Sequence, residues 1–230
     1  MIVLDRVGFP LIQVEPLGGY LSFLPITKYQ FEYYICDPSA GRNFGEQWYA
    51  SATRTNRRRP AAALTIEDYW NAFMTSVTPA ECRQFAEWYA DDESQLCDLP
   101  TDNEWRAAYE HLASKPTIDP AAITGLPDVN PRARQLVTRL TTLRSQQPLT
   151  AASSLAPPTA ATKEADSLAD QMLMRRGVFE WVRLADGWGG RGQPPASIGG
   201  GGIAPHNGSP RQPTSDENQP YYGFRLLIRE

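Results

Sequence analysis

The residues best suited to redox or metal chemistry are few and scattered: three cysteines, Cys36, Cys82 and Cys97, and two histidines, His111 and His206. An odd number of cysteines with no C-x-x-C pair indicates neither a disulfide framework, a zinc site nor a dithiol redox motif. Two histidines are too few for a histidine-rich iron centre. The glycine tract "IGGGGIAPHNG" is tested next as a phosphate cradle. A P-loop ends in Lys followed by Ser or Thr, and no lysine follows these glycines. A dinucleotide turn needs a helix after it, which Pro205 and Pro210 argue against. The acidic runs "DDESQ" (91–95) and "SDEN" (215–218) read as solvated turns. No Ser-His-Asp or paired-carboxylate spacing stands out. The basic run "RTNRRRP" (54–60) reads as a solvated loop that could touch phosphates.

What remains is recognition chemistry near the C-terminus. Trp188, Arg191, His206, Asn207, Arg211, Asp216, Asn218, Tyr221 and Tyr222 fall within a Gly-, Pro- and Ser-rich stretch. Aromatic and arginine side chains supply amphipathic contact area, while Asn, Ser and Gly adapt by hydrogen bonding. These nine residues are the candidate ligand-binding set, on a 188–222 loop region.

Elements that must position them follow from caps and periodicity. The N-terminal runs "MIVL", "LIQVE" and "GYLSFLPI" read as short strands punctuated by Pro and Gly. Four threonines have a side-chain acceptor three residues on: Thr27 with Gln30, Thr65 with Asp68, Thr78 with Glu81, and Thr101 with Glu104. Each spacing is a capping box or close to one, and Pro79 suits the first helical position. Apolar residues then recur at helical spacing: Phe31, Tyr34, Ile35; Ile66, Tyr69, Trp70, Phe73; Cys82, Phe85, Ala86, Tyr89; Trp105, Ala108, Tyr109, Leu112. Cys82 is thereby a small buried helical residue, and His111 a helix-end or surface histidine. A fifth helix is expected from Pro131 to about Gln146, capped by Asn130. Residues 147–170 read as a flexible insertion within a single domain spanning 1–230. "GVFEWVRL" and "YYGFRLLIR" read as strands. The order gives an α+β domain whose first and last strands meet in one sheet, not a doubly wound fold.

Bulk properties agree with this. The chain has 230 residues, 41% hydrophobic content and a formal charge of −4. That is a globular composition with no electrostatic footprint for nucleic acid. No apolar run is long enough to span a membrane and no leader is visible, so a cytoplasmic location is expected.

Several of these segments, in order, resemble the formylglycine-generating enzyme or sulfatase-modifying factor family. "PITKYQFEYY" (25–34) is similar to that family's V-T-N-x-x-Y/F opening, and "ECRQFAEW" (81–88) to its aromatic helix. "LPTDNEWRAA" (99–108) resembles R-L-P-T-E-A-E-W-E-x-A-A, and "GVFEW" (177–181) resembles G-N-V-W-E-W. "IGGGG" stands in the place of R-G-G-S, and "GFRLL" (223–227) resembles the closing G-F-R. The resemblance implies a C-type-lectin-like α+β fold with much irregular chain and paired terminal strands. It also implies an oxidase using a copper-binding cysteine pair between the last two anchors, but that interval holds no cysteine here. Thiolates are the soft ligands the reaction needs. The family's calcium site requires an Asn where this chain has Leu173, which cannot coordinate a hard cation. Glu180 is then expected to be a structural acceptor for backbone or hydroxyl donors. No cofactor or metal is expected.

Taken together, the residues point to a non-catalytic ligand- or protein-binding domain, with another protein as the expected partner. Two alternatives stand beside it. One is a variable receptor of the diversity-generating-retroelement type, which shares the fold and randomises a loop before a C-terminal strand. Adenine-directed randomisation excludes Glu, Lys, Met, Gln and Trp, and 197–222 contains Gln212, Glu217 and Gln219 among otherwise permitted types. The other is an oxidase of the formylglycine-generating type, or another enzyme in the same cleft.

Overall fold

The computed structural model describes residues 1–40, 73–75, 77–90, 95–145, 167–174, 178–192, 209–211 and 222–229. The helix expected after Thr65, the basic run at 54–60 and the glycine tract lie outside the described residues.

The fold is mixed α+β, with two sheets and six helices among the described residues. The first sheet contains β1 (Ile2–Leu4), β2 (Pro10–Val14), β3 (Gly19–Ser22), β4 (Leu96–Asp98) and β8 (Leu227–Arg229), in the order β1-β2-β3-β8-β4. All pairings are antiparallel. Leu227 lies opposite both Leu21 of β3 and Asp98 of β4, so the last strand is interior to the sheet. First and last strands share this sheet, as the element order predicts, but they do not pair with each other: β1 pairs with β2, and β8 lies between β3 and β4.

The second sheet has the order β6-β5-β7: β5 (Phe179–Leu184) and β6 (Gly187–Arg191) form an antiparallel hairpin, and β7 (Tyr222–Gly223) runs parallel to β5. "YYGFRLLIR" was expected to form one terminal strand. It instead divides between the sheets, with Phe224–Leu226 carrying the chain across. Three buried side chains at that crossing, Phe224, Arg225 and Leu226, hold it in the core.

Helices begin where the threonine spacing places them. Thr27 caps α1 (Lys28–Cys36), Thr78 caps α2 (Pro79–Tyr89) and Thr101 caps α3 (Asp102–Ala113). Each is a complete reciprocal box, and losing such a cap costs about 1 kcal/mol. Two short helices, α4 (Pro120–Thr124) and α6 (Leu168–Gln171), carry too few turns for a periodic signal. Between them α5 (Pro131–Ser145) starts where Asn130 Oδ1 accepts from the Arg132 amide at 2.9 Å. Of the insertion expected at 147–170, residues 147–166 lie outside the described residues and 167–170 belong to α6 and its cap. Ser167 caps it, and Leu168 and Ala169 are buried, because apolar side chains there are drawn into the core.

The first sheet is covered on both faces, which alternation along its strands explains. Leu11 and Ile228 face one cluster with Phe31, Tyr34, Phe85 and Trp88 of α1 and α2. Ile12, Val14, Leu21 and Leu227 face a second cluster with Trp105, Ala108, Tyr109 and Leu112 of α3. Phe85 is the hub of the first, 5.4–5.5 Å from the rings of Phe31, Tyr34, Trp88 and Phe224. Burying such a side chain contributes about 1.5–3 kcal/mol, and aromatic pairs add about 0.5–1.5 kcal/mol each.

Candidate functional site

Three sequence segments converge on one buried ion pair. Arg225 and Glu180 have fully buried side chains. Arg225 Nε donates to Glu180 Oε2 at 3.1 Å and Nη2 donates to Oε1 at 2.8 Å. Its remaining N–H groups reach the carbonyls of Ser22 (2.6 Å), Phe23 (2.7 Å) and Met172 (2.8 Å). All the guanidinium's donors are therefore used. The Trp105 indole Nε1 donates to Glu180 Oε2 at 2.7 Å. Glu180 is indeed a structural acceptor, but its donors are a guanidinium and an indole, not the expected backbone or hydroxyl groups. With its oxygens so occupied, and an apolar, buried Leu173 at the position where the resemblance requires an Asn, this place does not suit a calcium ion. Leu173 itself has φ +63°, an uncommon backbone state for a bulky residue, directly after the Met172 carbonyl that Arg225 holds.

Glu180 lies in β5, where "GVFEWVRL" is expected as a strand; its hairpin partner β6 is the element that glycine content hid from sequence reading. Trp188 and Arg191 were expected on a loop; they lie in β6, because paired backbone and close packing outweigh the glycines' entropic cost. Trp188 is half-buried against the first core cluster. Arg191 is 3% exposed, and its Nη2 donates to Asp102 Oδ2 at 2.9 Å at the start of α3. Its guanidinium thus braces the hairpin against a helix, and Asp102 also suits that helix's positive end.

Gly190 is the next contact. Its amide donates to the Arg211 carbonyl at 2.8 Å and its carbonyl accepts from the Arg211 amide at 3.0 Å, forming an isolated antiparallel bridge. A Cβ at Gly190 would run into the Tyr222 ring, so only glycine lets the strand, the strap at 209–211 and β7 lie together. Tyr222 is buried, with its ring 4.4 Å from Trp181 and 5.1 Å from Phe179. Burial pushes its phenol pKa up, with Arg211 opposing. Arg211 is exposed, and its guanidinium carbon lies 4.9 Å from the centroid of the Phe179 ring.

Of the nine candidate residues, the structure therefore brings Arg211 and Tyr222 together on one sheet with Trp188 and Arg191. His206, Asn207, Asp216, Asn218 and Tyr221 lie outside the described residues. The chain between Arg191 and Tyr222 is fastened at three places: Arg191 on Asp102, Arg211 on Gly190, and Tyr222 on the Phe179–Trp181 pair.

The thiols are elsewhere. Cys36 is exposed at the end of α1, Cys82 is fully buried in α2, and Cys97 is half-buried in β4. Burial raises the pKa of Cys82 and of Cys97, which disfavours the thiolate that copper binding or nucleophilic attack requires. Among the described residues no group of three or more His, Cys, Asp or Glu side chains is arranged to hold a metal. No helix there is long and apolar enough to cross a membrane.

One polar cluster escaped sequence reading. Asp5 Oδ1 accepts from the amides of Val7 (2.7 Å) and Phe9 (2.8 Å), and Oδ2 accepts from Gln30 Nε2 (3.3 Å) and the Tyr89 hydroxyl. Burial raises its pKa to about 6, against the lowering effect of those donors. The only sequence signal is a turn residue three positions before Gly8, which is too common to single out. Comparison with family models, with curated proteins and with solved structures gives no match.

Proposed function

We propose that this chain is a non-catalytic protein-binding domain on a formylglycine-generating-enzyme-like, C-type-lectin-like scaffold, and that its recognition surface lies in the 188–222 region. The observation that carries the reading is the three-place fastening of that region, to the start of α3 and to the second sheet. A fixed frame under a Gly-, Pro- and polar-rich segment lowers the entropy lost when the segment engages a partner. The scaffold half is supported by the meeting of Trp105, Glu180 and Arg225. They come from the three segments, "LPTDNEW", "FEW" and "GFR", that carry the resemblance.

A non-catalytic role is favoured by the position of the thiols, none of which lies in the 188–222 region. Cross-linking and affinity capture with the full chain test the binding surface. A variant in which 197–208 is replaced by a Gly-Ser segment of equal length, keeping the 209–211 strap, should lose its captured protein. Retention of that protein would place the surface elsewhere. Loading with Cu(I) and a cysteine peptide should yield no formylglycine, and product formation would overturn the non-catalytic reading.

A further inference from the structure

Resting on that reading, we infer that Arg211 is the anchor of the binding surface and that it takes an Asp or Glu side chain of a partner polypeptide. Its main chain is fixed by both bonds to Gly190, so the position is held while the side chain faces outward, exposed. Its guanidinium lies over the Phe179 ring at 4.9 Å, and Phe179 is itself buried and packed on Tyr222. An aromatic platform under an arginine restricts the side chain while leaving N–H groups free to donate sideways. Less conformational freedom is then lost when a ligand arrives.

The charge inventory of this half of the molecule singles the residue out. Arg183 pairs with Asp98 at 2.7 Å, Arg191 with Asp102, and Arg225 with Glu180. Among the described residues no carboxylate pairs with Arg211, and no acceptor takes its guanidinium N–H groups. A planar fork with free N–H groups matches the two oxygens of a carboxylate. A phosphate, carrying nearly two charges, is usually met by several cations or a helix N-terminus. Here the neighbouring arginines are already neutralised by their own partners. A single negative charge is the fitting ligand, and an acidic side chain on a protein is its source.

The test begins with selection of random displayed peptides on the immobilised full chain. The best peptide's affinity is then measured by fluorescence anisotropy for the wild type, Arg211→Lys and Arg211→Gln. We expect selected peptides to share an Asp or Glu. Changing that acid to its amide should weaken wild-type binding about tenfold or more. Arg211→Gln should weaken binding similarly, and the acid-to-amide change should then have little further effect. Arg211→Lys should retain part of the affinity. Near-UV circular dichroism should be unchanged in both variants, since the strap is held through main-chain atoms. Peptides lacking a shared acid, or full affinity in Arg211→Gln, would overturn the inference while leaving the binding reading in place. Recovery of no peptide at all counts against both. Displacement of the peptide by inorganic phosphate at concentrations where acetate has no effect would assign the anchor to phosphate instead, which also overturns it.

Discussion

Two carboxylates, one fully buried and one half-buried, are held in different parts of this molecule by different means. Glu180 meets a cation: the Arg225 guanidinium lies against both its oxygens, and the Trp105 indole adds a third donor. Asp5 receives four hydrogen bonds against three at Glu180, but all from neutral groups, Val7, Phe9, Gln30 and Tyr89. The two sites differ in the charge of their donors. At Asp5 burial outweighs those donors and lifts its pKa to about 6. The first carboxylate ties the two sheets together. The second fastens the β1–β2 turn to α1 and α2.

The comparison breaks most sharply if one side of the ion pair is removed. Glu180→Ala leaves Arg225 charged and buried, with an expected loss of about 3–5 kcal/mol in urea unfolding. Arg225→Met should cost a similar amount, and joining it to Glu180→Gln should cost less than the sum of the single changes. Asp5 gives the second-largest effect, and its sign is opposite to that of a paired acid. Its folded pKa, about 6, lies above the ordinary aspartate value of 3.8. The native state is therefore penalised above pH 6, and stability rises as pH falls from 6 towards 3.8. The gain is of order 1–3 kcal/mol. Asp5→Asn, whose amide can still meet Tyr89, should flatten that part of the pH profile in thermal melts. Gly190→Ala affects neither carboxylate and should cost about 1–3 kcal/mol by overpacking Tyr222, with a changed near-UV spectrum. The smallest perturbation serves as a readout. A thiol reagent should label exposed Cys36 in the native state and buried Cys82 only on opening. Labelling of Cys82 should therefore accelerate in Glu180→Ala and hardly change in Asp5→Asn at pH 5.

Local rules made the helix starts legible. Thr27, Thr78 and Thr101 all cap as their spacing requires, since a capping box is complete within four residues. The pairing of N- and C-terminal strands was legible from element order. What escaped was non-local. β6, "GWGGR", carries glycines that sequence rules assign to a loop, yet Gly190 is there because Tyr222, distant in sequence, packs against it. Arg191 looked like a ligand residue because nothing in its own segment announces Asp102 as a partner. Glu180 was recognised as structural, but its donors lie far along the chain in both directions. Cys97 lies in the three-residue strand β4, too short for alternation to mark it.

The place of β8 has a consequence for how the chain is made. Its two neighbours, β3 and β4, are synthesised well before it and do not pair with each other. Until Leu227–Arg229 has left the ribosome, the first sheet is two separate pieces with facing open edges. Contacts between such distant segments close slowly, and unpaired edges are prone to join other chains. The nascent protein is thus most exposed to aggregation just before these residues emerge, and a stop codon shortly before Leu227 would remove the strand that joins both halves.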